Sequence, residues 1–233
     1  EGDAAEMGRA LAEARVMGLN EYNASEGAQL MLDMEMAMAE QIREGCEGRL
    51  NIRLRAGWFS FGNVYPDVSH QRIMHMHEAD SAGRMVDRMI RRLCRWGIEN
   101  GKMLSRWNSL RLGILSHYIC DFMCYVHTPA FKGSLKEHRA YEEEQSRYLD
   151  TQCARAVCSF YQAGSGEELT ALLDRVLRER DPASYSPEDD LEYAAAVATE
   201  LTCAILRIRT ARREAANWWN HLPFMRRRYL SRT

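Results

Sequence analysis

Two pairs of metal-ligating side chains, each spaced four residues apart, constrain the fold of this chain more than any other feature. His117 and Asp121 form one pair, and His138 and Glu142 form the other. Residues four apart project from one face of an α-helix, so each pair predicts a helix that carries two converging ligands. His127 lies between the two pairs. Three imidazoles and two carboxylates can therefore converge from neighbouring helices, and zinc accepts such nitrogen and oxygen ligands.

A single pair of this kind proves little, because a histidine and an acid at this spacing also form ordinary contacts on helix surfaces. Here all five candidate ligands fall within residues 117–142. A Pro66–Asp67 dipeptide and three further histidines, His70, His75 and His77, precede that stretch. This clustering favours a metal site over polar groups that are simply satisfied within a core.

The rest of the chain predicts one all-α domain over residues 1–233, a bundle of about eight helices with the metal site between them. Helical periodicity covers residues 4–19, 26–45, 80–100, 105–127, 134–162, 166–180 and 188–219. Only five prolines occur in 233 residues, which favours long helices over a loop-rich fold. Residues 47–80 are the exception. There Gly57, Gly62 and Pro66 interrupt an aromatic stretch, which predicts an ordered loop.

Composition narrows the class of protein. Hydrophobic residues make up 46% of the chain and charged residues 27%, as in ordinary globular proteins, and no apolar run is long enough to span a bilayer. The net charge of −2 gives no general attraction to nucleic acid or anionic membranes. The seven cysteines include no CxxC pair, which predicts reduced thiols and a cytoplasmic protein. The chain begins at Glu1 rather than methionine, so secretion after removal of a leader is the alternative.

The combined motifs resemble the zinc-dependent phospholipase C family, part of a helical superfamily that also includes single-strand-specific nucleases. The resemblance covers roughly residues 55–145, and its most specific part is the spaced set of histidines and acids. The motifs that carry it are Pro66–Asp67 after Gly62, HYxxD at His117–Asp121, His127 before Pro129, and HxxYE at His138–Glu142.

The resemblance implies two zinc ions and their ligands. One ion would be held by His117, Asp121, Asp67 and a histidine downstream of Asp67, and Asp121 would bridge to a second metal. Another zinc ion would be held by His127, His138 and Glu142. Among the three upstream histidines, His77 is the preferred ligand, followed by His75 and then His70.

A third metal is left open by the resemblance. Family members of known activity hold it through an N-terminal tryptophan and an early histidine, whereas this chain begins with Glu1 and its first histidine is His70. Acidic residues offer replacement ligands, and the candidates are Glu26, Asp33 and Glu35.

The implied activity is hydrolysis of a phosphodiester, in which a metal-activated hydroxide attacks phosphorus and Asp67 orients or deprotonates the water. The implied substrate is a phospholipid headgroup. The C-terminal sequence WWNHLPFMRRRYLSRT mixes aromatic residues with arginines, which predicts either a docked terminal helix or transient contact with a membrane surface. Two alternatives remain: a nuclease or nucleotide phosphodiesterase with the same metal core, and a non-catalytic helical protein stabilised by zinc.

Overall fold

The computed structural model describes residues 26–68, 79–95, 103–148, 160–180 and 185–220. Within these residues the chain forms helices, and its one β-type contact is an isolated bridge between Arg53 and Met103. The predicted all-α class is therefore confirmed. Seven α-helices lie in the described residues: α1 Glu26–Leu50, α2 Ala56–Val68, α3 Ala79–Arg95, α4 Arg106–Met123, α5 Leu135–Gln145, α6 Gly166–Glu179 and α7 Pro187–Asn220.

Helices α2 and α4 pack against each other with their backbones in direct contact. A Cβ atom added to Gly113 would lie 2.1 Å from the carbonyl oxygen of Phe59, and one added to Gly62 would lie 2.2 Å from a carbonyl oxygen of α4. Both positions therefore require glycine. The two helices run in the same direction, so their close contact also brings Asp67 near the end of α2 to His117 on α4.

The longest helix, α7, packs against α1 and α4. Its residues 194–206 are largely apolar and almost all buried, with Val197, Ile205 and Leu206 at 0% exposure. These side chains join one continuous hydrophobic cluster with residues from α1, α3, α4 and α6. Burial of this cluster is the main force that fixes the relative positions of the helices.

Residues 56–68 form helix α2, so the predicted loop over residues 47–80 is wrong for this part of the chain. Glycines within a helical pattern usually indicate that the helix ends there. Gly62 instead lies inside α2, where the close contact with α4 leaves no room for a side chain. Pro66 lies inside the helix near its end, where its missing N–H removes one backbone hydrogen bond. Helix α1 also continues past two glycines, Gly45 and Gly48, and ends at Leu50, so the predicted end at residue 45 is wrong.

Two other predicted helices end early. Helix α4 stops at Met123 because Cys124 is extended (φ −90°, ψ 131°), and Tyr125–His127 then forms a separate 3₁₀ turn. Helix α5 ends at Gln145 rather than at residue 162, and further 3₁₀ turns cover Ser146–Tyr148 and Phe160–Gln162. The predicted helix at 4–19, residues 149–159 and the tail at 221–233 lie outside the described residues.

Two properties of the described residues bear on the earlier expectations. None of the described helices combines the length and the apolar character that crossing a bilayer requires.

The five described cysteines are free thiols, and four of them are buried. The closest two sulfur atoms are those of Cys46 on α1 and Cys203 on α7, which lie 3.3 Å apart.

Candidate metal centre

Helix α4 supplies the central side chains of the site. Ser105 caps its N-terminus by accepting a hydrogen bond from the Asn108 backbone. His117 and Asp121 lie one turn apart on the same face, with 3.1 Å between His117 Nε2 and Asp121 Oδ2. The His117 side chain is only 3% exposed, so its ring nitrogens face protein groups rather than solvent.

The first candidate metal-binding group surrounds the His117 ring and consists of Glu35, Asp67 and His117. Their ligand atoms all lie within 4.8 Å of one another. His117 Nδ1 lies 3.6 Å from Glu35 Oε1, and His117 Nε2 lies 3.7 Å from Asp67 Oδ1. Three helices therefore contribute one side chain each, from α1, α2 and α4.

The second candidate group consists of His127, His138 and Glu142, whose ligand atoms also lie within 4.8 Å of one another. His138 and Glu142 lie one turn apart on α5, with 2.9 Å between Nε2 and Oε1. His127 Nε2 reaches the same Glu142 oxygen at 3.4 Å from the 3₁₀ turn that follows α4. A capping box of Ser134 and Glu137 fixes the start of α5, so this ligand pair begins on a well-defined first turn.

Asp121 lies between the two groups and turns one carboxylate oxygen toward each. Its Oδ2 lies 3.1 Å from His117 Nε2, and its Oδ1 lies 3.8 Å from His127 Nε2. A carboxylate in this position can contact two cations at once, because its two oxygens are independent donors. Asp121 therefore has one carboxylate oxygen near each of the two groups.

Comparison with known proteins adds a decisive observation. The sequence matches the family described as zinc dependent phospholipase C over residues 36–187, which is more than half of the 233-residue chain. The chain belongs to this family. No curated protein and no solved structure matches it significantly. The matched region contains Asp121 and every member of the two candidate groups except Glu35, which lies one residue before it.

Closely spaced acids shift the pKa values within the first group. Burial lowers the pKa of His117, but the neighbouring carboxylates of Asp121 and Asp67 outweigh it and raise that pKa to about 9. Burial and the charge of Asp67 raise the pKa of Glu35 well above its usual range. Both shifts favour the protonated forms of these side chains, and a metal cation bound among them would replace those protons.

The second group is electrostatically paired. Burial raises the pKa of Glu142, but hydrogen bonds from His127 and His138 outweigh it and hold that pKa below its usual value. Burial lowers the pKa of His127, whereas Asp121 and Glu142 raise it by a larger amount. Neutral imidazoles are the metal-binding form, so metal binding at this group also requires loss of a proton.

The residues present fit the zinc that the family requires. Imidazole nitrogens and carboxylate oxygens are both usual zinc ligands, and each group offers three of them. The buried Oε2 atom of Glu35 has no hydrogen-bond partner among the described residues. A buried carboxylate oxygen without a partner is costly, and a cation placed among these acids would satisfy it.

The structure brings together most of the residues that the sequence indicated. Of the predicted metal ligands, six lie in the described residues and surround one site: Asp67, His117, Asp121, His127, His138 and Glu142. The seventh, His77, and the alternatives His70 and His75 lie outside the described residues. Glu35 was indicated only as one of three replacement acids. Its position beside His117 depends on the packing of α1 against α2 and α4.

The zinc-free protein should lose stability as pH rises. Folding raises the pKa of His117 from 6.5 to about 9. The stabilisation that protonated His117 gives to the folded state is therefore complete below about pH 6.5 and is lost as the pH rises through about 9. This shift corresponds to about 3 kcal/mol, or a fall in Tm of roughly 6–12 °C between about pH 6 and about pH 9. The raised pKa values of Glu35 and His127 act in the same direction.

Thermal unfolding in chelator and in zinc, measured across this pH range, checks that expectation. The increase in Tm on adding zinc should grow with pH, because the ligands bind metal only after they lose their protons. A His117→Asn variant serves as the control and should show a flatter zinc-free profile. A zinc-free Tm that stays constant or rises toward about pH 9 would contradict this account of the first group.

Proposed function

We propose that this member of the family is a zinc-dependent phosphodiester hydrolase of phospholipase C type that acts on a phospholipid headgroup. The observation that carries the proposal is the position of Asp121, with one oxygen toward each of two groups of histidines and acids. Paired metal positions of this kind suit phosphodiester hydrolysis, since two cations can contact the attacking and leaving oxygens.

Charge explains why the cation is needed. The site gathers the carboxylates of Glu35, Asp67, Asp121 and Glu142, which would repel a phosphodiester anion. Bound zinc supplies a Lewis acid that activates water and offsets the negative charge on the phosphoryl oxygens. One ion would be held by Asp67, His117 and Asp121, with Glu35 as a further ligand, and the other by His127, His138 and Glu142, with Asp121 available to both.

The protein side chains orient the ions and handle the proton. Asp67 lies at the end of α2 with its carboxylate 23% exposed, so it can reach both the His117 ring and solvent. A carboxylate oxygen of Asp67 accepts the proton that the attacking water loses. As the water oxygen bonds to phosphorus, the bond between phosphorus and the glycerol oxygen breaks and the glycerol oxygen takes up a proton from solvent, so the products are diacylglycerol and the phosphorylated headgroup. The substrate lies in a lipid surface, which requires transient membrane contact.

Hydrolysis assays on the zinc-loaded protein test this proposal. We expect release of phosphocholine from phosphatidylcholine vesicles, loss of that release in chelator, and its return with zinc. Asp67→Asn should lower kcat by roughly 10²–10⁴-fold, the usual contribution of a general base. Zinc content measured on the same samples separates loss of the base from loss of metal.

The same assays distinguish the other functions considered. Cleavage of single-stranded nucleic acid without release of phosphocholine would identify the metal core as that of a nuclease. A zinc-loaded protein that hydrolyses no phosphodiester tested, and that loses stability in chelator, would instead be a helical protein in which zinc has only a structural role.

A further inference from the structure

A buried carboxylate on α7 lies outside the candidate ligands and outside the residues matched to the family. Asp190 occupies the first turn of α7, three residues beyond the matched region, and is 0% exposed. Its Oδ2 accepts a hydrogen bond of 2.6 Å from the Tyr125 backbone N–H and another of 2.6 Å from the Tyr141 hydroxyl. Its Oδ1 pairs with the guanidinium of Arg180.

The two donors to Oδ2 belong to the two segments that carry the second candidate metal group. Tyr125 opens the 3₁₀ turn that ends at His127. Tyr141 lies on α5 immediately before Glu142. A single carboxylate oxygen therefore connects the turn that holds one candidate ligand to the helix that holds the other two.

The aromatic rings around this carboxylate add to the same connection. Tyr125 packs against Tyr141 with 5.9 Å between ring centroids, and against Phe131 with 5.6 Å. Phe131 in turn makes an edge contact with His138, at 5.9 Å. The ring of Phe131 therefore links the His138 ring to Tyr125, whose backbone donates to Asp190.

We propose that Asp190 is a positioning residue for the His127, His138 and Glu142 metal group, an inference that rests on the proposed zinc site. Removal of one partner from a buried charged network leaves the remaining donors unsatisfied, so the turn and α5 would shift relative to each other. Groups that orient metal ligands typically contribute 10–100-fold to metal affinity. The first group, around His117, receives no contact from Asp190 in the described residues and should keep its affinity.

Two variants and one control test this role in the full chain. Asp190→Asn places an amide where three donors converge, and Tyr141→Phe removes one hydroxyl while keeping the ring. Ser186→Ala is the control, because Ser186 caps α7 through Asp189 and its loss weakens the helix without touching the links to Tyr125 or Tyr141. Zinc affinity, by competition with a chromophoric chelator, and the absorption spectrum of the cobalt(II)-loaded protein are measured for each variant, together with Tm.

We expect two zinc ions to bind the parent, and one of the two to bind roughly 10–100-fold more weakly in Asp190→Asn and in Tyr141→Phe, with an altered cobalt spectrum. Ser186→Ala should lose a few degrees of Tm and keep both affinities and the parent spectrum. If Asp190→Asn does not fold, Tyr141→Phe alone decides the question.

Parent-like affinities and spectrum in Tyr141→Phe would overturn the positioning role and leave the proposed function intact. An equal loss of affinity in Ser186→Ala would also overturn it, because the effect would then follow stability alone. A parent that binds no zinc would overturn both this inference and the proposed function.

Discussion

An Asp121→Ala variant is expected to lose both metal ions and essentially all hydrolytic activity. Asp121 lies between the two candidate groups, 3.1 Å from His117 and 3.8 Å from His127. Removal of groups that merely orient ligands costs 10–100-fold in metal affinity, so loss of a shared ligand should cost at least about a hundredfold at each position. Metal analysis after dialysis and a phosphocholine-release assay measure the two effects.

The control for Asp121→Ala is Glu144→Ala, which removes an exposed carboxylate from α5 and changes the net charge by the same amount. It should bind zinc and hydrolyse substrate as the parent does. An intermediate result is expected for Asp121→Asn, which keeps one acceptor oxygen but loses the negative charge. Retention of two tightly bound ions by Asp121→Ala would contradict the bridging role.

The second large effect is expected on stability, from a single methyl group added between α2 and α4 by the substitution Gly113→Ala. Gly113→Ala would place a Cβ 2.1 Å from the Phe59 carbonyl oxygen and 2.9 Å from the Gly62 Cα, so the helices must separate. Overpacking against backbone costs about 3 kcal/mol or more, equivalent to a fall in Tm of roughly 6–12 °C in a protein of this size. Thermal unfolding followed by circular dichroism measures it.

The same substitution should also weaken metal binding. Contact between α2 and α4 holds Asp67 near His117, so separation of the helices moves one candidate ligand away from the others. Gly83→Ala is the matched control, since an added Cβ there meets nothing within 4 Å and alanine favours the helix. A Gly113→Ala protein as stable as Gly83→Ala would show that the two backbones are not in obligatory contact.

Much of the site was predictable because its ligands lie close together in the sequence. The four-residue spacing of His117 with Asp121 and of His138 with Glu142 requires only a regular helix, and helices form from local patterns. His127 follows at the end of the first ligand helix, where a turn brings it back to Asp121. Local regularity was therefore enough to indicate five of the candidate ligands.

The unpredicted features depend on tertiary contacts. Glu35 is one acid among several on a methionine-rich helix, and only the packing of α1 beside α2 and α4 directs it to His117. A glycine that ends a helix and a glycine that lets two helices touch look the same in a sequence. The residues around Gly62 therefore predict a loop, although they form α2. Asp190 is one of three consecutive acids at the start of α7, and its burial follows from contacts with Tyr125 and Tyr141.

Anomalous diffraction at the zinc absorption edge, on crystals of the zinc-loaded protein, tests the central claim most directly. The account predicts one peak among Glu35, Asp67, His117 and Asp121, and a second among His127, His138 and Glu142, with Asp121 in contact with both. Zinc found only elsewhere on the protein, or one peak with Asp121 in contact with neither ion, would contradict it.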